Sequence, residues 1–157
     1  MTREAGLQAS VQAPDANGKL GSNQSLLIIE DALIHSTIIA RIAEQTGFST
    51  TTAKSYDEAA SLLRQRSFDC VTVDLGLGEH AGSEVFRLLA AAGSRVPTVI
   101  ISGAEPDVCE ATARFGKSLG LNICEPIRKP VDLAALREAF GKIIKELRLE
   151  RLAATGQ

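Results

Sequence analysis

"CVTVDLGLG", residues 70–78, decides how this chain folds. Four residues suited to a buried strand, Cys70 to Val73, run into Asp74, and two glycines follow at 76 and 78. A strand buried on both faces belongs to a parallel sheet covered by helices. A carboxylate at its edge is costly unless something pairs with it, and no lysine or arginine neighbours Asp74 in sequence. Its partners must come from elsewhere in the fold.

Working outward, the same grammar repeats. "SLLII" (25–29) is a second continuous apolar run, and Ile34, Ile38, Ile39 and Ile42 follow it at helical spacing, closed by Gly47. "FSTTTA" (48–53) is β-branched, and the helix after it is opened by Ser55 or Asp57. Past the central strand, Val85, Phe86, Leu88 and Leu89 mark a helix, then "VPTVIIS" (96–102) a strand and Pro106–Leu119 a helix. "LNICEPI" (121–127) reads as a fifth strand. From Asp132, a long last helix carries Leu133, Leu136, Phe140, Ile143, Ile144 and Leu147 as its stripe.

Five strand–helix alternations with short connections predict a parallel sheet with helices on both faces. Pro126 lacks the donor of a central strand and sends the fifth strand to an edge. The flavodoxin-like (βα)5 order 2-1-3-4-5 places it there.

Composition narrows the class. The 157 residues suit about one domain, and 45% hydrophobic with 23% charged residues is ordinary for a globular chain. A net charge of -2 gives no basic footprint for nucleic acid, so no DNA-binding domain is expected. No apolar run is long enough to span a membrane and the N-terminus lacks a signal peptide, so a cytoplasmic location is expected. Residues 1–24 read as a flexible tail, 25–145 as the domain, and 146–157 as an extension of the last helix. Cys70, Cys109 and Cys124 lack metal or disulfide spacing. His35, on a helix, and His80, in a loop, are lone histidines for which no ligand role is expected.

In open α/β sheets chemistry gathers beyond the carboxyl ends of the strands. There this sequence puts Glu30 and Asp31, Asp74, Ser102, and Lys129 with Pro130. Three carboxylates repel one another, and a hard divalent cation such as Mg²⁺ relieves this. With Lys129 and Ser102 beside it, Asp74 suits a nucleophile that accepts a phosphoryl group.

"LLIIED", "CVTVDLGLG", "VIIS" and "RKPV", in that order, resemble the receiver domain of bacterial two-component response regulators. The resemblance spans about residues 25–145. It implies that Asp74 is the phosphoacceptor, that Glu30 and Asp31 are the acidic pair holding Mg²⁺, and that the Gly76 carbonyl completes the metal site. It further implies that Ser102 is the switch hydroxyl, Lys129 the invariant lysine, and Gly82 the glycine closing the loop. The implied partner is a sensor histidine kinase or a histidine phosphotransfer protein, and the implied role is signalling, not catalysis of a separate reaction. Two positions depart from the family: Gly78 replaces a usual proline, and Pro126 replaces the aromatic residue that often rotates on activation.

Other readings are weaker. A haloacid-dehalogenase-type phosphatase needs a second aspartate two residues after the first, where Gly76 stands. "SLGLNICEPIRKPVDL" is similar to receivers preceding cyclic-di-GMP phosphodiesterase domains, so a regulatory segment of a longer output enzyme is the alternative. The length of the last helix, reaching Leu152, predicts an overhang that a homodimer or a partner would cover.

Overall fold

The computed structural model describes residues 23–78 and 81–155. The expected tail therefore lies, up to residue 22, outside the described residues, as does His80. Strands β1 (Gln24–Ile29), β2 (Phe48–Ala53), β3 (Cys70–Val73), β4 (Pro97–Ser102) and β5 (Asn122–Ile123) form a parallel sheet in the order β2-β1-β3-β4-β5. A further short strand, β6 (Ile127–Arg128), also pairs with β4. Between and after the strands run α1 (Leu33–Thr46), α2 (Tyr56–Gln65), α3 (Gly82–Ala91), α4 (Pro106–Ser118) and α5 (Leu133–Thr155).

The pleat of β1 divides its side chains between two cores. Leu26 and Ile28 join Ile39 and Ile42 of α1 and Leu136, Phe140, Ile143 and Ile144 of α5. Leu27 and Ile29 join Ala59 of α2, Val85, Phe86 and Leu89 of α3, and Ala113 of α4. Helices thus cover both faces, which is why Leu26–Ile29 of β1 and all of β3 are buried. Phe48 and Phe140 meet edge to face with centroids 5.4 Å apart, tying the edge strand to α5.

Local chemistry sets the ends of the elements. Ser55 caps α2 by accepting from the Glu58 N–H, and Asp132 caps α5 by accepting from the N–H groups of Ala134 and Ala135. Gly47 ends α1 in the left-handed region.

Four features differ from the sequence reading. The fifth strand is two short strands, because Pro126 has no N–H to continue the ladder. Gln24 opens β1 and is buried, paired with Phe48, whereas the sequence assigned it to the tail. Ile34 is exposed, since the buried stripe of α1 runs through Ser36, Ile39, Ile42 and Ala43. Finally, the extension of α5, expected as an overhang, is tied to the domain: Arg151 donates to the Oε1 of Gln24 at 3.2 Å. The large apolar side chains that the extension leaves exposed are Leu149 and Leu152.

Candidate functional site

The parallel arrangement aligns the carboxyl ends of β1, β3 and β4 along one rim. Backbone bonds fix the register there: Glu30 N–H donates to the Ala53 carbonyl and Asp74 N–H to the Ile29 carbonyl, both at 3.0 Å. Lys129 N–H donates to the Ser102 carbonyl at 2.9 Å, bringing the residue after β6 beside the end of β4. The following peptide, Lys129–Pro130, is cis.

Side chains then converge. The Lys129 ammonium lies 2.9 Å from Glu30 Oε1 and 3.3 Å from Asp74 Oδ2. Oxygens of Glu30, Asp31 and Asp74 lie within 4.8 Å of one another. Glu30 and Asp74 are buried, Asp31 exposed. Three carboxylates against one ammonium leave the cluster two charges negative. Burial pushes the Glu30 carboxyl above its ordinary range. The Lys129 and Ala32 hydrogen bonds oppose that rise, and the Asp74 charge adds to it.

The remaining carboxylate oxygens meet backbone. Gly76 N–H donates to Asp74 Oδ1 at 3.1 Å, Ala32 N–H to Glu30 Oε2 at 3.1 Å, and Gly78 N–H to Asp31 Oδ2 at 3.2 Å. The last bond exists because residue 78 is not proline, which has no N–H. Gly78 has φ +54°, a conformation that side chains rarely adopt and proline cannot. The departure noted in the sequence therefore supplies a donor to the acidic pair. Gly82 opens α3 so close to Leu75 that a Cβ there would meet the leucine side chain at 2.5 Å. That contact packs the loop back onto the sheet.

Ser102 is buried, and its Oγ accepts from Ala104 N–H at 3.1 Å. Its own proton remains available to a further acceptor. Glu30, Asp31, Asp74 and Lys129 thus come together at this rim, Gly76 is held to it through Asp74, and Ser102 lies at the end of β4 bonded through its carbonyl to Lys129. What sequence reasoning missed is the stronger partner of Lys129, which is Glu30, and the placement of His35. Its Nδ1 is buried without a hydrogen-bond partner, 4.0 Å from Glu30 Oε2. The signal was present: His35 is the third residue of α1, on the turn that follows the acidic pair.

The donor set is all hard oxygen, with a net negative charge and close spacing, and it fits a Mg²⁺-type cation. Among the described residues this is the one such group of acidic, histidine or cysteine side chains. The cysteines are free and buried or half-buried, and burial pushes the thiols of Cys70 and Cys124 up, away from reactivity. No helix among the described residues is long and apolar enough to cross a membrane.

Comparison with known proteins agrees with this geometry. The family model described as the response regulator receiver domain matches residues 26–141. Regulatory protein VirG of Agrobacterium tumefaciens (strain 15955) is 34% identical over 123 residues, 78% of this chain and 39% of VirG. Photosynthetic apparatus regulatory protein RegA of Rhodobacter capsulatus is 29% identical over 91 residues, 58% of this chain and 50% of RegA. The chain therefore spans half or less of these curated relatives. Among solved structures, a CheY-like response regulator receiver domain from Methylobacillus flagellatus superposes with a TM-score of 0.64 at 25% identity, over 78% of this chain and 99% of that one. A response regulator protein from Burkholderia pseudomallei, solved with a phosphorylated aspartic acid, calcium ion and citrate, shares the fold with a TM-score of 0.64 at 23% identity, over 84% of this chain and 75% of that one.

Proposed function

The chain belongs to the response regulator receiver family of two-component signalling systems, and on that premise we propose that Asp74 accepts a phosphoryl group in the cytoplasm from a sensor histidine kinase or a histidine phosphotransfer protein. The observation that carries this reading is the Lys129 ammonium set between Glu30 and Asp74 at the mouth of three converging carboxylates. A structural aspartate needs no such surroundings.

One oxygen of Asp74 attacks phosphorus, and the bond from phosphorus to the donor's imidazole nitrogen breaks, its electron pair leaving with the imidazole. Gly76 N–H holds Oδ1 and so orients the carboxylate for attack. Lys129 faces Oδ2 and is placed to meet an oxygen of the arriving group. Mg²⁺, when bound by Glu30, Asp31, Asp74 and the Gly76 carbonyl, supplies charge neutralisation for the transferring group.

Once Asp74 is modified, the free proton of Ser102 has a strong acceptor beside it. Its present bond to Ala104 couples that hydroxyl to the loop entering α4. Pro126, half-buried between β5 and β6, has no long side chain to swing, so the signal travels through residues 103–107. Output is phosphorylation-dependent binding of a partner. Leu149 and Leu152 offer a second copy of this chain an apolar contact on α5. The relatives' greater length favours a second reading, in which the receiver controls an attached output domain.

The test is intact-mass measurement after treatment with acetyl phosphate and Mg²⁺. The parent chain should gain one phosphoryl group and Asp74→Asn none. Uptake persisting in Asp74→Asn, or absent from the parent, overturns the assignment.

A further inference from the structure

At the opposite end of the sheet, between the carboxyl ends of α2 and α3, lies an open cavity of about 360 Å³. Arg64, Arg66 and Arg95 line it with Ser67 and Ser94, over a floor that includes Phe68. No acidic side chain lines it, although the whole chain carries a charge of -2. Asp69, next to Phe68 in sequence, is already engaged by the N–H and hydroxyl of Ser25. Among the described residues the ion pairs are those of Glu30 and Asp74, and the arginine hydrogen bonds are those of Arg137 and Arg151. The three guanidinium groups of the cavity therefore have no anionic partner among the described residues.

Each arginine taken alone is ordinary near a helix carboxyl end, where a cation is favoured by the helix dipole. Three around one cavity with no acidic side chain concentrate positive charge where an anion is favoured. Arg66 is also held in place: its guanidinium stacks over the Phe68 ring at 4.5 Å. A stacked guanidinium keeps its edge donors free for phosphate oxygens. The lining is thus donor-rich, cationic and partly preorganised.

We propose that this cavity binds a compact polyanion of the diphosphate class, held by Arg64, Arg66 and Arg95, either as free polyphosphate or as the diphosphate of a nucleotide. Two linked phosphoryl groups match three guanidinium groups better than one does, and the open cavity of about 360 Å³ leaves space beside them. The site is independent of the phosphoacceptor chemistry at the other end of β3.

Inorganic pyrophosphate and ADP, added separately with a chelator present so that no metal bridges them to the acidic rim, distinguish the two sources. Backbone amide NMR shifts should move at Ser67, Phe68, Ser94 and Arg95. The combined Arg64→Gln, Arg66→Gln, Arg95→Gln variant, whose changes are all on exposed side chains, should bind at least about tenfold more weakly. ADP binding tighter than pyrophosphate identifies a nucleotide site, and the reverse a polyphosphate site. Shifts confined to the acidic rim, binding unchanged in the triple variant, or binding of polyglutamate alone would overturn the proposal.

Discussion

Asp69 precedes β3 and Asp74 follows it, so a single buried strand carries an aspartate at each end. Asp69 is satisfied by donors: Ser25 N–H reaches its Oδ2 at 2.8 Å and Ser25 Oγ at 3.2 Å, while its own N–H bonds back to Ser25. Both donors meet the same oxygen and come from one neighbouring residue. Asp74 has one backbone donor and an ammonium that it shares with Glu30, and two more carboxylates crowd it. The first aspartate ties β3 to β1. The second is held in a surplus of negative charge that only an added cation or a new bond relieves.

The widest separation between the two ends is chemical. Asp69→Asn should take up a phosphoryl group from acetyl phosphate as the parent does, while Asp74→Asn takes up none, both read by intact mass. Equal uptake in both variants would erase the distinction.

Metal should separate the ends next. Mg²⁺ at about 100 times its dissociation constant stabilises a protein that binds it only when folded by roughly 2.7 kcal/mol. That gain, followed by thermal melting, should vanish in Asp31→Asn and survive in Asp69→Asn.

Stability without metal should run the other way. Asp69→Ala leaves Ser25 donors without their acceptor, at a cost of about 1–3 kcal/mol in urea unfolding. Asp74→Ala also loses its bonds to Gly76 and Lys129, but it removes one of three mutually repelling acids and should therefore cost less. A larger loss at 74 than at 69 would reverse the assignment of roles.

The finest test is pH. Burial raises the Glu30 carboxyl in the folded chain above its ordinary value of 4.5, so the folded state holds that proton more tightly than the unfolded chain does. The metal-free parent therefore loses stability from this group as pH climbs past about 4.5 to the raised folded value. Glu30→Gln cannot titrate there, so its stability relative to the parent should improve over that window. A difference between the two that stays flat with pH would show that burial does not govern Glu30.

The periodicity of the chain made most of this legible. The mainly apolar runs at 25–29 and 70–73 do not alternate with charged residues, so those strands had to lie in the sheet interior, and the residue after each had to fall on the same rim. Glu30, Asp31, Asp74, Ser102 and Lys129 could be gathered that way from the sequence. Ile34 could not be placed, because an apolar residue on the first turn of a helix is buried only if the neighbouring elements reach it. Nor could the grip of Arg151 on Gln24, which depends on α5 running back along the sheet across 127 positions of sequence.

Sequence alone thus determined the layers, the strand order and the identity of the residues at the rim, since these follow from burial and chain connectivity. Only the tertiary structure decided how the charges are shared: that Lys129 leans to Glu30 more closely than to Asp74, that Gly78 donates to Asp31, and that His35 Nδ1 lies buried beside Glu30. The reason is physical. Apolar pattern averages over many residues and survives local error, whereas a hydrogen bond is made or lost over a few tenths of an ångström, set by packing far away in the chain.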